Sequence, residues 1–106
     1  MLPRSSRLSS KEVERLMKEG RSLAAGSLRA KYLKSSAPTS RFAFVVSKKI
    51  ARDAVTRNRL RRWGAVAARG ISQTAPIDAA VTVLIRYENL TRLREDLTAL
   101  LVRATR

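Results

Sequence analysis

The chain contains the stretch AVTRNRLRRWG at residues 54–64, and this stretch limits what the chain can fold into. Asp53 before it is a typical N-cap and Gly70 is a typical stop signal, so a helix is predicted with a body that runs to about Arg69. At about 3.6 residues per turn, one arc of this helix is apolar and is expected in the core: Val55, Leu60, Trp63, Val66 and Ala67. The opposite arc is polar and cationic: Arg57, Asn58, Arg61, Arg62 and Arg69. The fold must therefore cover one side of a basic helix and leave the other side open.

Arg59 does not fit this division, because it points toward the apolar arc beside Val55 and Val66. It can reach past the packed edge, pair with an acid, or contact a nucleic acid at the rim of the helix. Gly64 lies inside the same helix, where glycine costs about 1 kcal/mol relative to alanine. Its presence indicates close packing at that point.

The chain before the basic helix predicts one short helix. Ser9 and Glu12 have the spacing of a capping box, and Gly20 is a stop signal, so the helix is expected from about residue 10 to 19. Three apolar residues share one of its faces and are expected to pack on a sheet: Val13, Leu16 and Met17.

Two alternating segments follow this helix and predict strands. Residues 23–34 read as one strand, or as two short strands around a bulge at Gly26. Their alternation places Leu28, Ala30 and Tyr32 on one side and Arg29 and Lys31 on the other. After the loop SSAPTS, the segment RFAFVVS predicts a further strand with Phe42, Phe44 and Val46 on one face.

The last third of the chain predicts a strand and a helix. A polar loop that holds Pro76 leads to the buried strand AAVTVLIR, and leucines then recur at helical spacing: Leu90, Leu93, Leu97, Leu100 and Leu101. The order is thus α, two or three β, α, β, α, which is typical of an α+β protein whose helices pack on a small sheet. At 106 residues, we expect residues 1–106 to form a single domain.

Charge points to a polyanionic partner. Lys and Arg total 23 against 8 Asp and Glu, for a formal net charge of +15, and Asp53 is the only acid between Arg21 and Ile77. The chain has no His and no Cys, which removes the commonest general base, thiol chemistry and nearly every zinc site. Its apolar runs are too short for a bilayer and we see no secretory signal, so a cytoplasmic protein without a membrane partner is expected.

Seven of the basic side chains lie within fifteen residues and are the candidate nucleic-acid ligands: Lys48, Lys49, Arg52, Arg57, Arg59, Arg61 and Arg62. The plain alternative is a solvated helix face, but like charges on neighbouring turns repel by a few tenths of a kcal/mol each unless a polyanion screens them. The density therefore favours nucleic acid. For Lys48 and Lys49, protection of a sheet edge is a second explanation. Tyr32 suits either a stacking platform or the core, whereas Trp63 is expected in the core.

The stretch VSKKIARDAVTRNRLRR, residues 46–62, resembles the signature of the bacterial ribonuclease P protein component. That signature is a Ser-Lys-Lys strand end, a short spacer, Ala-Val and an Arg-Asn-Arg helix. RLSSKEVERLMKEGR is similar to the family's first helix and DAAVTVLIR to its last strand. The resemblance implies an α-β-β-β-α-β-α fold with a left-handed β-α-β crossover, of the ribosomal protein S5 domain 2-like type.

The resemblance also implies a function. Family members assist a catalytic RNA that removes the 5′ leader from precursor tRNA, with Mg²⁺ held in the RNA-containing holoenzyme, no metal bound by the protein alone, and one protein expected per catalytic RNA. On this basis no residue of the chain is catalytic, and the RNA-binding set is Lys48, Lys49, Arg52, Arg57, Asn58, Arg59, Arg61 and Arg62. The leader would bind in a cleft between the first helix and the sheet, lined by Val13, Tyr32, Lys48 and Arg57. Val13 stands where the family usually has an aromatic residue.

Two other functions compete with this reading. A small ribosomal or ribosome-assembly protein would also use a basic α+β domain, and would bind ribosomal RNA without affecting leader cleavage. A DNA-binding regulator would insert the basic helix into the major groove. The second is disfavoured because RFAFVVS, rather than a partner helix, precedes the turn.

Overall fold

The computed structural model describes residues 7–36, 38–70 and 76–104. Its elements follow the predicted order, helix, three strands, helix, strand, helix. In chain order they are α1 (Ser10–Glu19), β1 (Arg21–Ala25), β2 (Leu28–Lys34), β3 (Arg41–Val45), α2 (Ala54–Arg69), β4 (Ile77–Val83) and α3 (Leu90–Ala104). The predicted polar loop before β4 falls mostly on residues 71–75, which lie outside the described residues.

The predicted capping box sets the start of α1. The Ser9 hydroxyl accepts from the Glu12 backbone N–H at 3.3 Å, and the Glu12 carboxylate accepts from the Ser9 N–H at 3.0 Å. This bond from the Ser9 backbone is the main reason why the pKa of Glu12 is lowered. At the other end, the Gly20 N–H donates to the Leu16 carbonyl at 2.8 Å and the helix stops.

The glycine that interrupts the first alternating segment makes a hairpin turn, so the predicted bulge is wrong. β1 and β2 pair antiparallel with Ala25 opposite Leu28, and Gly26 has φ +56°. A long-range cluster holds the turn: the Ser27 N–H donates to the Asp96 carboxylate at 3.1 Å, and the Tyr87 hydroxyl donates to it at 2.5 Å. Burial, with this hydrogen bond, raises the pKa of Tyr87.

The four strands form one mixed sheet in the order β1-β2-β4-β3. β4 therefore lies in the middle, antiparallel to β2 and parallel to β3. Because β3 and β4 are parallel, the segment β3-α2-β4 is a crossover unit, as expected. The hand of this crossover stays a prediction.

Different helices cover the two faces of the sheet. Leu28, Ala30 and Tyr32 share one face with Val81 and Val83, and this face packs against α2 and α3 in the main core. The predicted leucines of α3 fill that core: Leu93, Leu97, Leu100 and Leu101. The opposite face carries Leu33, Ala80 and Asp78, and α1 lies on it with Leu16 buried.

The buried side of α2 is rotated from the predicted apolar arc. Val55 is 76% exposed and Val66 39% exposed, whereas small and apolar side chains face the core. The buried residues of α2 are Thr56, Leu60, Gly64, Ala65, Ala67 and Ala68. The helix buries its smallest residues because they allow the closest approach to β3, so packing distance outweighs the hydrophobicity of two valines.

Candidate nucleic-acid interface

A short turn joins β3 to α2 and carries three of the predicted ligands. The carbonyl of Ser47 accepts from the N–H groups of Ile50 and Ala51, at 3.1 and 3.2 Å, which closes the turn, and Ala51 is only 1% exposed. Lys48, Lys49 and Arg52 are exposed on its outer side and line a shallow cavity of about 530 Å³. The turn thus presents three cations around one concave surface, a shape that suits phosphate oxygens.

Asp53, the acidic residue of this basic segment, is the N-cap of α2. The Asp53 carboxylate accepts from the Thr56 N–H at 2.8 Å and from the Thr56 hydroxyl at 2.6 Å, which confirms the predicted N-cap. These two bonds lower the pKa of Asp53, the side-chain bond contributing most. The carboxylate therefore serves the start of the helix.

Arg57 has a role that the sequence did not reveal. Its guanidinium donates to the carbonyls of Ala51 and Arg52, at 3.0 and 2.7 Å, and the residue is half-buried. Arg57 thereby ties α2 to the turn before it and fixes where Arg52 lies. No local pattern in a sequence signals a side chain that bonds to carbonyls five and six residues earlier.

The exposed face of α2 carries the rest of the predicted set. Arg61 donates to the Asn58 side-chain oxygen at 2.7 Å, so the two residues hold each other in place. Arg62 is exposed beside them. Asn58, Arg61 and Arg62 thus lie on the surface, as predicted, whereas Arg57 is half-buried.

For Arg59 the structure supports the first of the three alternatives that its sequence position left open, and contact with a nucleic acid stays a prediction. It is exposed, and its guanidinium carbon lies 5.3 Å from the ring centroid of Trp63, one turn later in α2. Among the contacts that the structure gives Arg59, none is with a carboxylate. The residue reaches past the packed edge and lies on the surface that the other arginines occupy.

Tyr32 does not line the space between α1 and the sheet, and this prediction is wrong. Alternation places it on the face of Leu28 and Ala30, where it packs against the main core. The residues of β2 on the α1 face are Arg29, Lys31 and Leu33. Sequence alternation separated these two sets correctly, but it did not show which set α1 covers.

A groove runs along the uncovered part of the α1 face. Its volume is about 680 Å³, and Met17, at the end of α1, contributes an apolar wall where it is 48% exposed. Its other lining residues include Arg29, Lys31, Thr82 and Leu84. The groove combines two cations with apolar walls.

The groove and the basic turn lie at the same end of the sheet. Val45, the last residue of β3, pairs with Thr82, which lines the groove, and Lys48 follows Val45 by three residues. Among the other predicted leader ligands, Val13 is half-buried on α1 and Arg57 is bonded to the turn. Lys48 is exposed, and it follows β3 at the end of the sheet where the groove lies.

An ion-pair network fixes the far end of α1. Arg41 binds Asp78 through two nitrogens, at 2.9 and 2.6 Å, and donates to the Glu12 carboxylate at 2.7 Å. The bond to Asp78 is the main cause of a raised Arg41 pKa. Because Glu12 belongs to α1 and Arg41 and Asp78 to neighbouring strands, the network holds one wall of the groove on the sheet.

Two other kinds of site are absent from the part of the chain that the structure describes. Residues 7–36, 38–70 and 76–104 contain no group of three or more Asp, Glu, His or Cys side chains that could hold a metal ion. In the same residues, each helix is too short or too polar to cross a bilayer.

Comparison with known proteins gives a consistent picture. The family model of Ribonuclease P matches residues 2–105. The RNase P protein from Thermotoga maritima is 27% identical, the match covers 92% of this chain and 96% of that chain, and the TM-score is 0.79. The same protein in complex with 1-(4-fluorophenyl)-2-thiourea is 26% identical over 88% of this chain and 94% of that one, with a TM-score of 0.74.

A more distant structure supports the fold alone. It is a Staphylococcus aureus RNase P protein mutant with defective mRNA degradation activity, 21% identical over 94% of this chain and 88% of that chain, with a TM-score of 0.82. No curated protein gives a significant match.

Proposed function

The chain belongs to the ribonuclease P protein family, and from this premise we propose how it works as the protein subunit of that ribonucleoprotein endoribonuclease in tRNA processing. The exposed surface of the basic turn and of α2 binds the RNA subunit. The groove beside α1 receives the 5′ leader of precursor tRNA. A role in ribosome assembly is not favoured, because the family match covers nearly the whole chain.

The observation that carries the RNA-binding proposal is the arrangement of the cations around the turn that Arg57 holds. Lys48, Lys49 and Arg52 surround one cavity, and the bonds of Arg57 to the turn hold that cavity against α2. Arg59, Arg61 and Arg62 continue the positive surface along the exposed side of the helix. Because contacts within the protein already hold Arg57, Arg59 and Arg61, less side-chain freedom is lost at these residues when phosphates replace counterions.

The residues proposed to bind the leader are those that line the groove beside α1. Arg29 and Lys31 would contact leader phosphates, and Met17 and Leu84 would pack against sugars and bases. Lys48 stays a proposed ligand at the end of the groove, and Val13 a proposed part of its α1 wall. Arg57 contributes by fixing the turn rather than by touching the leader.

We assign the cleavage chemistry to the RNA subunit, with Mg²⁺ held in the RNA-containing complex. The chain has no His and no Cys, and its basic middle carries one acid, which caps α2. The protein would act by lowering the repulsion where leader, tRNA and RNA subunit meet, which raises substrate affinity and reduces the Mg²⁺ required. One protein per RNA and a cytoplasmic location complete the proposal.

The test is cleavage of a leader-bearing precursor tRNA by a bacterial ribonuclease P RNA at low Mg²⁺, with and without this protein. We expect protein-dependent cleavage, and we expect Arg61→Glu to weaken binding of that RNA and to reduce the slope of log Kd against log salt by roughly one. Arg94→Glu is the matched control, because it makes the same charge change on the exposed side of α3. Absence of rescue, or equal effects of the two variants, would contradict the proposal.

A further inference from the structure

The chain has one tryptophan, Trp63, and the structure places it at the border of the buried side of α2. The ring is partly buried and packs against the main core, which fixes its orientation. Packing of this kind holds an aromatic plane still, whereas a fully exposed ring would sample several rotamers. Trp63 is thus a rigid base on which another group can rest.

Arg59 is the group that rests on it. The guanidinium carbon lies 5.3 Å from the ring centroid, within the range of a cation–π contact, and the two residues are one helical turn apart. A guanidinium is a planar group that can stack on flat partners, and Arg59 is exposed, so part of this plane is open to solvent. Arg59 therefore presents a flat, oriented cation at the protein surface.

Two neighbours of this pair are apolar. Val55 is 76% exposed and Val66 is 39% exposed, and both lie on the side of α2 that carries Arg59. Contact with a hydrated phosphate group does not bury the apolar surface of an exposed valine. Contact with the face or edge of a base does bury it, which is favourable. The surface around Arg59 is consequently suited to more than a point charge.

We propose that Arg59 and Trp63 form a stacking site for an unpaired nucleobase of the RNA partner, with the base on the outer side of the guanidinium. The inference rests on the proposed function, because it assumes that the exposed side of α2 faces the RNA subunit. Bases inside a duplex do not expose their faces, whereas unpaired bases stack on arginine planes and aromatic rings. Trp63 acts as a positioning residue, and Arg59 makes the contact.

The contribution of Arg59 is tested by measuring the affinity of protein variants for a bacterial ribonuclease P RNA. Arg59→Lys keeps the charge and removes the plane, so we expect about tenfold weaker binding with an unchanged salt slope. Arg94→Lys, at an exposed position of α3 outside the proposed RNA surface, is the control and should stay within about twofold. Binding by Arg59→Lys as tight as the wild type, or an equal loss in Arg94→Lys, would overturn the proposal.

The role of Trp63 is tested by coupling. Trp63→Leu should weaken binding, and Arg59→Lys should then cost less than about twofold more, since the platform is already lost. Trp63→Phe keeps a smaller ring, so its affinity for the RNA should lie between those of the wild type and Trp63→Leu. This variant is a control for disturbance of the core by leucine. Melting temperatures of all variants separate folding from binding. Independent, multiplicative effects of the two substitutions would overturn the pairing.

Changes in the RNA can distinguish contact with a base from contact with a phosphate. Abasic substitutions, which remove a base and keep its phosphate, are introduced one at a time at unpaired nucleotides of the RNA. We expect at least one position where the wild-type protein loses about tenfold in affinity and Arg59→Lys loses less than about twofold. If no position shows this difference, the stacking site is refuted while RNA binding and cleavage rescue still stand. A wild-type protein that does not bind the RNA would instead refute the proposed function.

Discussion

Gly64 of α2 lies directly against the ring of Phe44 in β3. A Cβ at position 64 would be 2.6 Å from Cδ1 of that ring, closer than real Cβ contacts allow. The missing side chain sets the distance between the basic helix and the sheet, and with it the position of every arginine on the outer side of α2.

Gly64→Ala is expected to destabilise the protein although alanine favours helices. The gain in helix propensity is about 1 kcal/mol, whereas forcing an extra carbon into a packed contact costs about 1–3 kcal/mol. We expect a net loss of about 1 kcal/mol in the free energy of unfolding, measured by urea denaturation. Val66→Ala, at an exposed position of the same helix, should change stability by less than about 0.5 kcal/mol. A more stable Gly64→Ala protein would contradict the proposed contact.

Gly26→Ala should be more damaging. Gly26 has φ +56°, and a Cβ there would overlap the Asp96 carboxylate, which also binds Ser27 and Tyr87. Backbone strain and loss of these bonds together predict a loss of about 2–4 kcal/mol. Gly70→Ala is the matched control, because Gly70 has φ −85° and its nearest neighbour would be 3.7 Å away. Calorimetric melting checks both, and equal melting temperatures for the two variants would disprove the strained turn.

Leader binding should depend on Lys31 and not on the hydroxyl of Tyr32. Lys31→Gln removes a cation from the groove, so we expect affinity for precursor tRNA to fall about three- to tenfold while affinity for mature tRNA is kept. Tyr32→Phe should leave both within about twofold, because Tyr32 belongs to the other face of the sheet. Lys18→Gln, exposed on α1 away from the buried Leu16, controls for charge alone. A loss confined to Tyr32→Phe would restore the cleft predicted from the sequence.

Stability should fall at acid pH through the two capping carboxylates. The folded-state pKa values of Asp53 and Glu12 are lowered, so their contribution is complete above the unfolded values of about 3.9 and 4.3 and is lost as pH falls through the folded ones. Asp53→Asn keeps a cap but not the charge. We expect this variant to melt below the wild type at about pH 7, and we expect the difference to shrink as the pH falls through the lowered pKa of Asp53, where the carboxylate becomes neutral. A melting difference that stays constant as the pH falls would exclude this linkage.

Local signals predicted the elements well. Ser9 with Glu12 fixed the start of α1, and Asp53 with Gly70 fixed both ends of α2, because capping bonds form between residues close in sequence. The rotation of α2 could not be predicted, since Gly64 decides it through a contact with Phe44 on another element.

The candidate site was predicted in its charges and not in its geometry. The exposed arginines follow from composition and helical spacing, and the family signature named them. The placement of Tyr32 depends on which face of the sheet α1 covers, and that is set by long-range contacts such as Arg41 with Glu12. The bonds of Arg57 to the turn are likewise tertiary details that no periodicity encodes.

The place of β4 in the sheet has a consequence for the order in which the chain acquires structure. β4 comes last among the strands, yet it lies between β2 and β3. During synthesis, the whole basic helix is made before β4. Until β4 is made, the edges of β2 and β3 that will pair with it remain open. The arginine surface therefore becomes rigid only when Ile77–Val83 has been made and inserted, and an isolated peptide of residues 46–70 would carry the charges without their arrangement.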